Sequence, residues 1–322
     1  PLPSITVQGQ YLHSATRYPT EIVDGFEQPS GTFDGGAATL RTTWRTSNWE
    51  ARANVNQTDP NFRADAGFVT QSGVRGGNVN LTRRWWGGSD RWFTQLRLEG
   101  GSWLNRDYEG NQLNGGVWFG LGYQGPGQLS VGVWPNLFMK EYYAGTTYEG
   151  MNQLWFDVRA APSGRWSVGL NGNVGDAVDF ANEGLGSEVR LAPEISSRLG
   201  RSVELGVTHT YQRLDRAGMR VFTANLSQLR SVYNFSTRSF VRAIVQYRRT
   251  DRNPAAYGSE VDLRADGLFA QLLYAYKVNP QTVLFLGYAQ DGSGLTDLEQ
   301  PRTPITVQGR TLFLKLGYAW RP

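Results

Sequence analysis

Cysteine is absent from the 322 residues, histidine occurs twice, and three lysines (Lys140, Lys277, Lys315) stand among 32 basic residues. The missing cysteine rules out disulfides and leaves the redox compartment open. No stretch approaches the roughly 20 consecutive apolar residues of a membrane helix, and the mean hydropathy is −0.44. That excludes a helical span. It does not exclude a barrel, whose strands alternate apolar and polar residues and average to mild polarity. A formal charge of +4 is small for the length, and no basic cluster is interleaved with stacking aromatics, so nucleic acid is not expected as a partner. Pro1 is not followed by a charged segment and an apolar core. A leader is therefore expected to have been removed, or the chain to be a fragment.

Chemistry is scarce as well. Barrel lipases and acyltransferases need histidine with serine and an orienting polar group. His13 and His209 both fall on the lipid-facing parity near the loop end, and parity sets no serine beside His209. No catalytic residue is assigned, and the chain is not expected to be an enzyme. The acids Asp176, Asp179 and Glu183, and again Asp291, Asp297 and Glu299, lack the glycine-centred spacing of a calcium loop. Neither a metal nor a cofactor is expected. Glycine text such as Gly115-Gly116 or Gly120-Leu121-Gly122 precedes no helix, which argues against a phosphate loop; in a strand it relieves crowding at a bend or beneath a large neighbour.

What is present is alternation. In the last segment Leu312, Leu314, Leu316, Tyr318 and Trp320 share one parity, while Thr311, Phe313, Lys315, Gly317 and Ala319 share the other. Successive strand side chains point to opposite faces, so one face is continuously apolar and ends in aromatics. Fifteen earlier segments repeat the pattern: 4–16, 37–46, 49–57, 73–86, 91–103, 112–123, 128–134, 150–160, 165–174, 187–195, 201–212, 220–235, 239–248, 265–277 and 281–290. Pro135 is expected to end the seventh. In the twelfth, Phe222, Ala224 and Leu226 give way to Leu229 and Tyr233, and this parity shift predicts a bulge near Ser227.

The connections alternate in length. Short ones (near 46–48, 87–90, 125–127, 162–164, 197–200, 236–238 and 279–280) lie between long polar ones (17–36, 59–72, 138–150, 176–186, 250–264 and 291–307). Gly, Pro, Asn, Asp and Ser supply both sets. Short periplasmic turns and long extracellular loops are the outer-membrane arrangement. Aromatics gather at strand ends, where membrane girdles lie: Trp44, Trp49, Trp85, Trp92, Tyr123, Trp166, Tyr276, Tyr318 and Trp320 by the short turns, and Tyr11, Trp103, Trp134, Tyr211, Tyr247 and Tyr288 toward the long loops.

The opposite parity carries the charge. Arg41, Arg45, Glu50, Arg52, Arg84, Arg97, Glu99, Asp157, Arg159, Glu188, Arg190, Glu204, Arg242, Arg248, Lys277 and Lys315 are expected to line a lumen. Close pairs (Glu50/Arg52, Arg97/Glu99, Asp157/Arg159, Glu188/Arg190) could stiffen the wall as a cross-strand network or line a channel.

Several stretches resemble an uncharacterised family of bacterial outer-membrane barrels. They are Asp59-Pro60-Asn61-Phe62 with Ala66-Gly67-Phe68-Val69, then Phe222-Thr223-Ala224-Asn225-Leu226 with Tyr233-Asn234-Phe235-Ser236. The runs 241–247 (VRAIVQY) and 310–316 (RTLFLKL) match as well. Longer members of that family carry an N-terminal sandwich like a family-9 carbohydrate-binding module, and this chain resembles their barrel part. The resemblance implies fold and location and supplies no catalytic residue.

The expected fold is thus all-β: one domain, residues 1–322, forming a transmembrane antiparallel barrel of about sixteen strands. Outer-membrane localisation follows, with membrane lipid and lipopolysaccharide as surroundings. A barrel of that size can hold an aqueous channel, so a pore for passage or export of small polar solutes is expected. The alternative is a non-conducting anchor or scaffold for a periplasmic or outer-membrane partner protein.

Overall fold

The computed structural model describes residues 3–65, 67, 69, 71–88, 90–279, 282–296 and 303–318. It is all-β. The strands are β1 (Ser4–Arg17), β2 (Thr32–Arg45), β3 (Trp49–Thr58), β4 (Val74–Trp86), β5 (Gln95–Asp107), β6 (Gln112–Gly125), β7 (Leu129–Tyr143) and β8 (Thr146–Ser163). They continue as β9 (Trp166–Asp179), β10 (Gly184–Leu199), β11 (Val203–Arg216), β12 (Met219–Asn234), β13 (Ser239–Arg252), β14 (Arg264–Asn279), β15 (Thr282–Thr296) and β16 (Thr306–Tyr318). One short helix, α1 (Thr20–Phe26), lies between β1 and β2. The strands pair in chain order as one sixteen-stranded sheet, and among the described residues β1 pairs only with β2 and β16 only with β15. No helix among the described residues is long and apolar enough to cross a membrane, which says nothing about a barrel. Ala319, Trp320, Ser89, Ala66, Phe68, Asp297 and Glu299 lie outside the described residues.

Each of the sixteen alternating segments contains a strand, but the fifth starts at Gln95, so Trp92 and Thr94 precede it. Pro135 does not end β7, which runs on to Tyr143 with a local kink at Phe138 (φ 53°). The expected loop 138–150 is instead a tall hairpin closed by Ala144 and Gly145, both at positive φ. Such a two-residue turn matches the twist of its flanking strands. Ala217-Gly218 closes β11–β12 in the same way. The expected loop 176–186 likewise shortens to 180–183 between β9 and β10. Short turns at the other end are held by hydroxyls: the Thr46 Oγ1 accepts from the backbone N–H groups of Asn48 and Trp49, and the Ser236 Oγ from those of Arg238 and Ser239.

The expected bulge at Ser227 is absent. Register between β11, β12 and β13 is continuous from Phe222 to Tyr233, and the one shift lies at Leu214/Asp215. The parity change in β12 has another cause. Phe222 faces the polar side because it packs against a small buried cluster there, formed by Ala177, Leu214, Val221 and Ala256.

The chain divides into two compact units, Pro1–Tyr123 with Trp134–Gln153, and Gln124–Val133 with Leu154–Pro322. In the first, cross-strand register sets Ile5, Trp44, Ala51, Leu81 and Gly100 in one row, then Val7, Thr42, Ala53, Val79 and Ser102. The opposite face has rows such as Ser4, Arg45, Glu50, Thr82 and Glu99. In the second unit, Tyr276–Leu284–Leu316, Tyr274–Leu286–Leu314 and Leu272–Tyr288–Leu312 form apolar rows across β14–β16. Among the described residues no second layer covers these rows. Leu312, Leu314, Leu316 and Tyr318 are 64–75% exposed.

Candidate functional site

Cross-strand register sets fourteen of the sixteen charged residues on the polar rows of their unit. In the first, Arg45 stands opposite Glu50, Arg52 opposite Asn80, and Arg84 opposite Arg97, all on the polar side. In the second, Glu188, Arg190 and Glu204 occupy the polar rows of β10–β11, Arg242 and Arg248 those of β13, and Lys277 and Lys315 those of β14 and β16. Asp157 and Arg159 follow on β8, ion-paired at 3.2 Å.

Glu50 is the hub of the first unit. Its carboxylate, buried to 10% side-chain exposure, receives Arg45 at 2.9 Å, Arg52 at 2.5 Å and Arg84 at 3.0 Å. One acid cannot neutralise three guanidinium groups, so the patch keeps positive charge. Arg97 meets Glu99 at 3.6 Å. The expected Glu188/Arg190 pair is not formed. Glu188 accepts amide N–H groups of Asn173 and Gln212, both at 2.9 Å. Among the described residues Arg41, Arg190, Arg248, Lys277 and Lys315 make no ion pair. Glu204 is held at 3.8 Å by Arg198, and Arg242 donates to Gln271 at 3.1 Å.

Strand-end position, not parity, misplaced two tryptophans, and parity left a third, Trp118, on the polar side without a role. Trp103 and Trp134 do not belong to an outer girdle; they lie on the polar face with Trp118 of β6. Glycines make room for them. A Cβ at Gly116 would meet Trp103 ring carbons at 2.6–3.1 Å, one at Gly101 would meet Trp118 Nε1 at 3.0 Å, and one at Gly120 would collide with Trp134. The Trp134 indole N–H donates to Glu99 Oε1 at 2.7 Å, which ties the stripe to the charged rows. The signal available in sequence was the run Gly116, Trp118, Gly120, Gly122 on one parity, next to a strand with Gly101 and Trp103 on matching parity.

Two loops dock on polar-face positions, one in each unit. In the first, residues 59–63 bring Phe62 (6% exposed) so close to β2 that any side chain at Gly35 would strike the Phe62 backbone. Arg63 donates its backbone N–H to the Ser14 Oγ at 2.9 Å, and its guanidinium sits 5.2 Å from the Phe33 ring. The anchor is Asp59, which accepts from the Tyr108 hydroxyl, from the Gly36 N–H at 2.8 Å and from Gln57 at 3.1 Å. In the second unit, residues 253–263 pack Ala256 and Tyr257 on Leu214 and Phe222. Arg216 holds them, donating to the Ala256 carbonyl at 2.8 Å while pairing with Asp179 at 3.3 Å.

The Asp59 anchor is sensitive to pH. The Tyr108 hydroxyl, then the Gly36 N–H, lower the Asp59 carboxyl below its ordinary value. Burial, then Asp59 itself, pushes Tyr108 up to about 12. Asp59 contributes stability above the ordinary carboxylate range, lost as pH falls through its lowered folded value. Tyr108 contributes below its ordinary 10.0, and that is lost as pH rises toward about 12. The Phe62 ring resonances should therefore keep their packed chemical shifts at neutral pH and lose them at both extremes. In Asp59→Asn the packed shifts should already be lost at neutral pH and show no acid dependence; a variant with the parent's spectrum would show that Asp59 is not the anchor.

The histidines differ from expectation in one respect. Because β12 has no bulge, Ser227 lies directly opposite His209, and their Oγ and Nδ1 atoms are 2.8 Å apart. The pair satisfies two polar groups on the apolar face. A nucleophile–base pair also needs a group that orients the second imidazole nitrogen, and no hydrogen bond to that nitrogen is formed among the described residues. Of the acids weighed for metal, Asp179 is engaged by Arg216 and Asn182.

No protein-family model matches the chain, and comparison with curated proteins gives no significant match. Among solved structures, the chain is similar to the outer-membrane channel DcaP of Acinetobacter baumannii (9% identity, TM-score 0.47, covering 99% of this chain and 97% of that one). It is also similar to an anion-selective porin from Comamonas acidovorans (13%, 0.47, 99% and 96%), and to OmpT, an outer membrane protein of Vibrio cholerae (10%, 0.44, 99% and 98%). At these identities and scores the likenesses carry no functional argument.

Proposed function

We propose that the chain is a transmembrane β-barrel of a bacterial outer membrane whose polar face lines a pore for small polar solutes, with a modest preference for anions. The observation that carries this reading is the uncovered apolar face. Monomeric soluble proteins rarely expose apolar patches beyond a few hundred Å², yet here whole rows such as Leu286–Leu314 and Val7–Thr42–Ala53–Val79 stand free. Along β5 the band from Leu96 to Leu104 is about 27 Å of chain at roughly 3.4 Å per residue, before tilt. The apolar band of an outer-membrane barrel is about 25 Å tall.

The edges of the band support the same reading. Arg83 lies between the rings of Trp49 and Trp85, at 5.0 and 5.3 Å, and Trp92 stacks on Tyr123 at 5.3 Å. Amphipathic rings and basic groups favour the headgroup level. Membrane lipid and lipopolysaccharide are then the surroundings, with the short turns on the periplasmic side.

Selectivity follows from the charge on the polar face. The Glu50 hub leaves arginine in excess, and Arg41 adds to it. A low-dielectric wall focuses that field, and salt near 1 M, with a Debye length of about 3 Å, suppresses it. Reversal potentials in a dilute salt gradient should show anion preference that shrinks in concentrated salt and in Arg41→Gln/Arg45→Gln. A cation-selective pore, or one indifferent to that pair of substitutions, would contradict the assignment.

A second reading, a non-conducting anchor for a periplasmic module or partner protein, is favoured by the two docked loops at 59–63 and 253–263, which could obstruct the polar face. The sandwich module of the longer proteins that the sequence resembles would be one such cargo.

A further inference from the structure

We propose that Trp103, Trp118 and Trp134 form a stacking platform for carbohydrate on the polar face. Each indole is half-buried and reaches a glycine of an adjoining strand, where any Cβ would meet it. The reciprocal arrangement of Trp103 over Gly116 and Trp118 beside Gly101 sets the rings along neighbouring positions of β5 and β6, with Trp134 over Gly120 next to them. From Glu99 to Trp103 the stripe follows about 13 Å of strand, the length of a short oligosaccharide.

The surroundings select the ligand class. Tryptophans on a face turned toward water present a flat apolar surface that the C–H face of a pyranose ring can cover. The ring's hydroxyls then need donors and acceptors at the rim, the usual division of labour in a site with few polar groups. Those groups are present. Asn78 stands opposite Trp103, and Asn80 opposite Gly101. Asn105 bonds Asn114 at 2.8 Å, and Glu99 and Arg97 flank the other end. Among the described residues Asn78 and Asn80 make no side-chain hydrogen bond, and an apolar aromatic ligand would cover their amides without supplying partners, which is costly for desolvated polar groups. Packing alone does not account for the stripe, because a buried core would enclose both faces of each ring.

The inference rests on the polar face being open to water but not on ion conduction, so its test is made without a current. The purified full-length chain in detergent is titrated by calorimetry with maltohexaose, cellohexaose, sorbitol (a polyol without a ring face) and indole. At least one hexasaccharide should bind, and sorbitol should not. Trp118→Leu should weaken binding by about tenfold or more, while Trp118→Phe, which keeps a flat ring, should stay within a few-fold of the parent. If Trp118→Leu fails to fold, Trp134→Phe and Trp134→Leu provide the same contrast. Failure of both hexasaccharides to bind, tighter binding of indole, or equal affinities in the Leu and Phe variants would overturn the proposal. Sugar binding in a chain that passes no current would leave the platform standing and remove only the pore.

Discussion

Leu286→Arg should destabilise the protein in lipid by about 2–4 kcal/mol, the cost of arginine near the midplane of a barrel's lipid face. Leu286 sits between Tyr274 and Leu314 in the middle of an uncovered apolar row. Among the described residues its row offers a guanidinium no carboxylate. Gln10→Arg provides the contrast: Gln10 pairs with Thr39 on the polar side and is exposed, so its replacement should cost far less. Equilibrium unfolding from vesicles measures both. Equal costs would mean that the two faces do not meet different solvents.

Glu50→Gln should be the most damaging substitution on the polar face, at roughly 2–3 kcal/mol. Removing one partner of a buried ion pair costs about 3–5 kcal/mol, because the remaining charge is stranded. Here three arginines lose their acceptor together. The cost is reduced because Arg45 and Arg52 keep 55% and 47% side-chain exposure and can turn to water, whereas Arg84 at 21% cannot. Arg84→Gln in the Glu50→Gln background should therefore recover part of the loss. Unfolding of the single and double variants checks this, and additive losses would show that Arg84 does not depend on Glu50.

The strands were legible in the sequence because period-2 alternation is a local signal, repeated along the whole chain. Three features were hidden because they depend on what lies across the sheet. Pro135 continues β7 where a proline in a strand ordinarily marks an edge or a break. Phe222, Ala224 and Leu226 looked like a register slip because the residues 253–263 that cover Phe222 are about 30 positions away in the chain. Docking of 59–63 hinges on Gly35 and Ser14, the latter 49 residues from its partner Arg63. The tryptophan stripe was half-visible: the glycines suggested large neighbours, but which ring covers which glycine is set by the β5–β6 register.

The central claim is that the polar face surrounds water continuous across a membrane. Single-channel recording of the purified full-length chain in a planar bilayer tests it most directly. Discrete ohmic current steps are expected, with step size reduced by Asn78→Trp, which adds bulk to the polar face beside Trp103. Folded, inserted protein that gives no steps, in the parent and in variants with the 59–73 and 253–263 loops shortened, would contradict the pore and leave the anchor.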